Sequence, residues 1–294
     1  MKKKIIVLMC GVLTLFGNSL TADEITASAV LQKSADKYKA LESYSDEGTI
    51  VSAMDSGAMK INIETKFSIK LKKPNLYLIS WNQKACQGEQ AGTVWNNGSQ
   101  PYLYMGIAKS YSKMQNDEMA IAAATGISGG AAHTIPSLFL ETFRNGSDYF
   151  SQLSNTKLEK SEKINGEDCY VISSGTLSDS LKVTLWISKN TFFVLQQLLV
   201  VAPANIKMPE MSDAELENAI KASGEKVTEE NKEAMRAALK QRKANLKEAP
   251  SVKTTETHSK ISTQPVSQKD FNFDVPQGTV LKENLLDVMT HKQH

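Results

Sequence analysis

The chain has 294 residues, with 34 basic side chains, 32 acidic side chains and three cysteines. Three of the 34 basic residues lie in the first four positions, so removal of an N-terminal targeting segment would leave 31 against 32 and a net charge of about −1. This balance argues against electrostatic nucleic-acid binding, which needs a clustered basic face.

Residues 1–22 have the three parts of a secretory signal peptide. A basic start at Lys2 is followed by an apolar run over 5–16, too short to span a bilayer, and by a small, polar exit over 17–22. Cleavage is expected after Ala22, with Ser19 as the second choice; Cys10 is a poor lipid acceptor because the bulky Met9 precedes it. The mature chain is therefore expected in the periplasm as one domain over 23–294. No second apolar run has membrane length.

The first predicted element of the mature chain is an amphipathic helix within 25–44. The residues Leu31, Ala35, Tyr38 and Leu41 recur at intervals of three and four. A strand through Thr49 then leads into the longest alternating segment of the chain.

Residues 59–72 predict one very long strand. Every odd position is apolar or Thr and every even position is polar or charged, which gives a strand one dry and one wet face. At ~3.3 Å per residue it would reach roughly 45 Å, and a strand that long stays ordered in a large twisted sheet that tends to curl. We expect the odd positions to line the concave side.

Further strands follow on both sides of a helical segment. Their predicted positions are 76–81, 93–95 with 101–105, 157–163 with 169–173, 181–187 with 192–201, and 259–263. Turn residues such as Asn165-Gly166 separate the paired segments, which favours antiparallel hairpins.

Residues 117–143 predict a helical lid over this sheet. Asp117 is positioned to cap a short Ala-rich helix, a glycine-rich break follows over 126–130, and a second helix is expected to start near Pro136. That helix carries few charges, so it must bury itself, and the concave face of the sheet is the available surface.

Residues 203–250 predict an insertion into the sheet. Ser212 and Glu215 have capping-box spacing and Thr228 can cap a second helix, which favours a solvated helical hairpin. A flexible charged segment is the alternative, because apolar residues are few. A last short helix is expected over 282–289.

No catalytic or metal constellation is supported, so a non-enzyme without cofactor is expected. Residues 126–130 fit G-x-S-x-G around Ser128, but a helix precedes them where a nucleophile elbow needs a strand. The four histidines form no cluster with metal-ligand spacing. Cys86 and Cys169 could form one disulfide in an oxidising compartment or stay as two buried thiols.

The order of these motifs resembles the LolA/LolB-like superfamily of periplasmic lipoprotein-sorting proteins, and within it an uncharacterised predicted periplasmic branch. The resemblance is carried by residues 38–44, 72–77, 93–98, 166–172, 185–187 and 271–278. It implies an α+β fold: an unclosed, strongly curved antiparallel β-barrel with an N-terminal helix and a helical lid over an apolar cavity. In the carriers an arginine of the early strands holds the lid. This chain has no arginine before Arg144, which leaves Lys66 or Lys70 as replacements.

The expected function is non-catalytic binding or transport of a lipid, a lipoprotein acyl chain or another apolar ligand. The alternative is an interaction or sensor protein with a filled barrel, in which residues 203–250 contact envelope proteins. The predicted ligand-binding residues are apolar and come from the long strand and the lid: Ile61, Ile63, Phe67, Ile69, Ile135, Leu138, Phe139 and Phe143.

Overall fold

The computed structural model describes residues 25–55, 60–85, 88–143, 149–175, 180–206, 208, 210–222 and 226–283. The signal peptide with Cys10, the residue Cys86, the side chain of Phe143 and most of the predicted C-terminal helix lie outside the described residues, so these predictions stay untested.

The described strands form one twelve-stranded sheet. They are β1 (Ser43–Asp55), β2 (Lys60–Lys72), β3 (Leu76–Ala85), β4 (Gly88–Asn96), β5 (Tyr102–Met105), β6 (Ser110–Lys113), β7 (Ser154–Ile164), β8 (Glu167–Gly175), β9 (Leu181–Ser188), β10 (Val194–Val201), β11 (Val252–Ser262) and β12 (Val280–Lys282). Their order is β12-β6-β5-β4-β3-β2-β1-β11-β10-β9-β8-β7, so β12 and β7 are free edges and the strongly curved sheet is not a closed barrel. All neighbours are antiparallel except β12 and β6.

Five α-helices accompany the sheet within the described residues: α1 (Ala27–Ala40), α2 (Asp117–Ser128), α3 (Thr134–Phe139), α4 (Asp213–Ala222) and α5 (Glu229–Glu248). The predicted α+β architecture with an N-terminal helix and helices over the concave face is confirmed.

The alternation of the long strand is confirmed residue by residue. Along β2 from Thr65 to Leu71 the odd residues are buried and the even ones are exposed or half-buried. Lys66 and Lys70 therefore lie on the outer face, and neither can replace the lid-holding arginine. On the neighbouring β1 the register places even residues inside, so Ile50 is buried while Val51 is 41% exposed.

The hairpins and caps follow the local sequence chemistry. Asn165 and Gly166 both have positive φ, as the tight turn between β7 and β8 requires. Ser212 and Glu215 exchange the two hydrogen bonds of a capping box, and the Thr228 hydroxyl accepts from the amide of Asn231. The insertion forms the predicted helical hairpin between β10 and β11.

Several boundaries differ from the predictions, and those of the helical segments are the following. α2 continues into the glycine-rich segment and ends at Ser128, after which Gly129 adopts a left-handed conformation. Asn116, not Asp117, caps it. The helix α3 starts at Thr134 and ends at Phe139, so it is shorter than predicted. Lys282 ends a strand instead of starting a helix.

Candidate functional site

Hydrogen bonds connect the start of each of the helices α2 and α3 to different strands of the sheet. At the start of α2, Asp117 accepts hydrogen bonds from Tyr77 and Asn96, at 2.9 and 2.8 Å. At the start of α3, the Thr134 hydroxyl donates to Glu256 Oε2 on β11 at 2.9 Å. In this chain the lid is therefore held by Glu256 on β11, whereas the resemblance to the lipoprotein carriers implied a basic residue of the early strands.

One half of the concave face is filled. Phe67 and Ile69 of β2, and Ile135, Leu138 and Phe139 of α3, belong to one buried core cluster. Each of these five side chains is at most 5% exposed. The remaining β2 residues of the predicted site, Ile61 and Ile63, are half-buried. The predicted lid helix is therefore part of the core over this half of the sheet.

The other half leaves a cavity of about 370 Å³ between α2, α3 and the inner face of β9, β10 and β11. Its apolar wall includes Leu153, Leu181, Val183 and Leu199. Gly126, Gly129 and Gly130 lie on the helical side, where the absence of side chains leaves room. This volume lies in the range of about 300–1,000 Å³ that is usual for small-molecule sites.

None of the predicted binding residues with a described side chain lines this cavity. Ligand binding by Ile61, Ile63, Phe67, Ile69, Ile135, Leu138 and Phe139 therefore stays a prediction, as it does for Phe143.

A buried polar network separates the cavity from the filled half. His258 Nδ1 donates to Asp46 Oδ2 at 2.7 Å, and the Tyr44 hydroxyl donates to the same oxygen at 2.8 Å. On its other side, His258 Nε2 lies 3.4 Å from Glu256 Oε1. Phe67 meets the His258 ring edge-on, with 5.5 Å between the centroids. The two carboxyls and the imidazole are each at most 4% exposed.

The network continues into the cavity wall. Tyr149 donates its hydroxyl hydrogen to Gln197 Oε1, and Gln197 Nε2 lies 3.5 Å from Glu256 Oε2. Sequence reasoning missed these residues. The sequence carries no local signal for them, because Glu256 and His258 alternate with residues that are also polar, such as Thr255 and Thr257.

Burial and charge shift the pKa of both ionisable groups on β11. Burial raises the pKa of Glu256, although His258 and the Thr134 hydroxyl oppose the shift. Burial alone would lower the pKa of His258, but the charges of Asp46 and Glu256 and the hydrogen bond that Nδ1 donates to Asp46 outweigh it, and the pKa is raised above 6.5. A raised folded-state pKa means that the folded protein holds the proton to higher pH than the unfolded chain. Both groups therefore contribute stability at low pH that is lost as the pH rises through their folded pKa.

The G-x-S-x-G segment over 126–130 borders the cavity through its glycines, but its serine does not line it. Ser128 is buried in the last turn of α2, whereas a nucleophile elbow exposes its serine at the end of a strand. Among the described residues no group of three or more His, Cys, Asp or Glu side chains could hold a metal ion. Cys169 is buried and forms no disulfide with another described residue, and its thiol lies 3.4 Å from the Glu167 carbonyl. Because Cys86 lies outside the described part of the chain, the disulfide stays a prediction. No helix in the described ranges is long and apolar enough to cross a membrane.

Solved structures with similar folds share little sequence with the chain. The lipoprotein LppX of Mycobacterium tuberculosis is 12% identical over 82% of this chain and 97% of its own, with a TM-score of 0.41. LprF of Mycobacterium bovis is 12% identical over 86% and 97%, also with a TM-score of 0.41. The LolA superfamily protein NE2245 of Nitrosomonas europaea is 12% identical over 85% and 99%, with a TM-score of 0.31.

A comparison with curated proteins gave no match. A protein-family model, described as predicted periplasmic protein (DUF2092), matches residues 27–218, which is more than half of the chain. This match confirms the predicted periplasmic branch and the periplasmic location. The chain belongs to the DUF2092 family of predicted periplasmic proteins.

Proposed function

We propose that this protein binds an apolar ligand in the periplasm, without catalysis, and carries or presents it there. The observation behind this proposal is the cavity of about 370 Å³ with its apolar wall on β9 and β10. Its size suits one small molecule or a single apolar chain. The glycines on the helical side add no side-chain bulk, which supports a space that is kept open.

Cavity filling on β10 tests this proposal. Leu199 and Val200 are adjacent and both half-buried, but only Leu199 lines the cavity. Leu199→Trp should weaken binding of the neutral apolar dye N-phenyl-1-naphthylamine by about ten-fold or more, since the indole occupies the ligand's space. Val200→Trp, on the opposite face of the same strand, is the matched control and should bind like the wild type. Absence of dye binding by the wild type, together with absence of bound lipid in native mass spectrometry, would contradict the proposal.

The second candidate is an interaction or sensor protein whose partner docks on the insertion. It is favoured by the filled half of the concave face and by a groove of about 270 Å³ at the helical hairpin, which Met208, Met211 and Leu216 line together with basic residues of α5. The insertion can be removed cleanly, because Val201 and Val252 face each other in the β10–β11 register. A variant with a short turn in place of 203–250 should fold. Unchanged dye binding by this variant would show that the ligand binds at the sheet. The insertion would then be available for a partner and not needed for the ligand.

A further inference from the structure

The cavity contains one buried carboxyl with unused acceptor capacity. Glu256 is 3% exposed and lines the cavity. Its Oε2 accepts from Thr134 at 2.9 Å and lies 3.5 Å from Gln197 Nε2, while its Oε1 lies 3.4 Å from His258 Nε2 and makes no hydrogen bond among the described residues. A carboxylate can accept about four hydrogen bonds, so Glu256 can take at least one more.

The surroundings of Glu256 are short of positive charge. The described residues that line the cavity include no Lys and no Arg. The one imidazole beside Glu256, that of His258, also contacts the carboxyl of Asp46. Two carboxyls against one imidazole leave a surplus of acceptors and negative charge on this side of the cavity. A ligand anion placed here would meet a like charge in a medium of low dielectric constant, which is unfavourable.

The other polar side chains of the wall do not offset this surplus. Tyr149 already donates its hydroxyl hydrogen to Gln197, and Thr134 donates its own to Glu256. His133 is exposed, and its ring stands edge-on to Tyr149 with 5.5 Å between the centroids. Tyr149 and Thr134 therefore have no hydroxyl hydrogen left to donate to a ligand beside Glu256.

We propose that the ligand is a single-chain amphiphile whose polar end donates hydrogen bonds, as an amine or amide does, and that Glu256 selects this end over an anionic one. The inference rests on the proposed function, because it needs the cavity to hold an apolar chain. It adds the chemical class of the polar end and the residue that recognises it.

The test compares three ligands of equal chain length: dodecylamine, dodecanamide and dodecanoate. Each ligand is titrated against N-phenyl-1-naphthylamine bound to the exported full-length protein at pH 7.5, and displacement of the dye is measured. The ligand concentration stays below the critical micelle concentration of that ligand. The amine and the amide should displace the dye at concentrations about ten-fold or more below that of dodecanoate, a ratio that one charge-assisted hydrogen bond can supply. The neutral amide separates hydrogen bonding from unspecific attraction of a cation to the protein.

Glu256→Gln should keep dye binding and reduce the preference for the amine over dodecanoate to about two-fold or less, because the amide side chain carries no charge. Glu64→Gln is the matched control: it removes a carboxylate charge from an exposed position on β2 and leaves Glu256 intact, so the preference should remain. If Glu256→Gln does not fold, the wild-type comparison still decides. Dye binding with equal affinity for all three ligands would overturn the selection by Glu256 and leave the proposed function standing. Failure of the dye and all three ligands to bind would overturn both.

Discussion

Replacing Phe139 with alanine distinguishes a lid over an open cavity from a helix that is part of the core. The Phe139 ring is 0% exposed at the end of α3. Tyr44 lies on one side, with 6.4 Å between ring centroids. The Lys73 ammonium lies 5.5 Å from the ring centroid on another. A ring enclosed in this way leaves a cavity when it is removed.

We expect Phe139→Ala to lower the free energy of unfolding by about 3–5 kcal/mol, the usual cost of truncating a buried phenylalanine. Such a loss is a large part of the roughly 5–15 kcal/mol that stabilises a domain. Urea denaturation followed by tryptophan fluorescence measures it, provided that the denaturant dependence matches that of the wild type. Ile107→Ala is the control, because Ile107 is 55% exposed and should change stability by no more than about 0.5 kcal/mol.

Dye binding by the same variant completes the experiment. Because Phe139 does not line the cavity of about 370 Å³, the affinity of Phe139→Ala for N-phenyl-1-naphthylamine should equal that of the wild type at a temperature where both are folded. A stability loss below about 1 kcal/mol combined with weaker dye binding would show that Phe139 covers an open cavity, and would refute the assignment of α3 to the core.

Two further predictions concern the buried network and the strand behind it. Gly48→Ala should destabilise the protein strongly, because a Cβ there would lie 2.2 Å from Phe67 Cζ and 2.4 Å from the Thr257 carbonyl oxygen, which is backbone and cannot move aside. Gly126→Ala in α2 is the control: a Cβ there would have nothing within 4 Å, so this change should be neutral or stabilising by about 0.5–1 kcal/mol in urea titrations. Equal effects of the two changes on the free energy of unfolding would contradict the packing described. Above pH 6.5, the unperturbed pKa of His258, the free energy of unfolding should fall as the pH rises, by at most about 1.4 kcal/mol per pH unit for one proton. The slope of this fall should be smaller in His258→Gln. A wild-type free energy of unfolding that rises over the same pH range would contradict the raised pKa of His258.

Local sequence rules predicted most of the sheet. The alternation along β2, the turn at Asn165-Gly166 and the caps at Ser212 and Thr228 each depend on neighbouring residues alone. Such features can be read from one chain because the side chains that decide them lie within a few positions of each other. The family resemblance added the order in which these elements assemble.

The candidate site could not be predicted in the same way. The prediction placed the last strand at 259–263, whereas β11 runs from Val252 to Ser262. Its inward residues Glu256 and His258 are polar, so the strand lacks the apolar alternation that identifies a half-buried strand. Their burial depends on Asp46, which lies 212 positions away from His258 along the chain. Hydrogen-bond partners this distant leave no local pattern.

The position of the cavity follows from the sizes of the inward residues on the two halves of the sheet. On β2 and β3 these are large apolar side chains such as Phe67, Ile69 and Trp81, all buried, and they meet α3 and fill the space beneath it. On β10 and β11 the corresponding inward residues include Gln197 and Thr254, which fill less volume and carry polar atoms. The hydrogen bonds of Asp117 hold α2 to β3 and β4 on the first half, and the hydrogen bond of Thr134 holds α3 to β11 on the second. The two helices cannot move closer to the second half without breaking the hydrogen bonds to the first. The same sheet therefore has a packed half that supplies stability and a half with open space beside Glu256, the carboxyl that holds the start of α3.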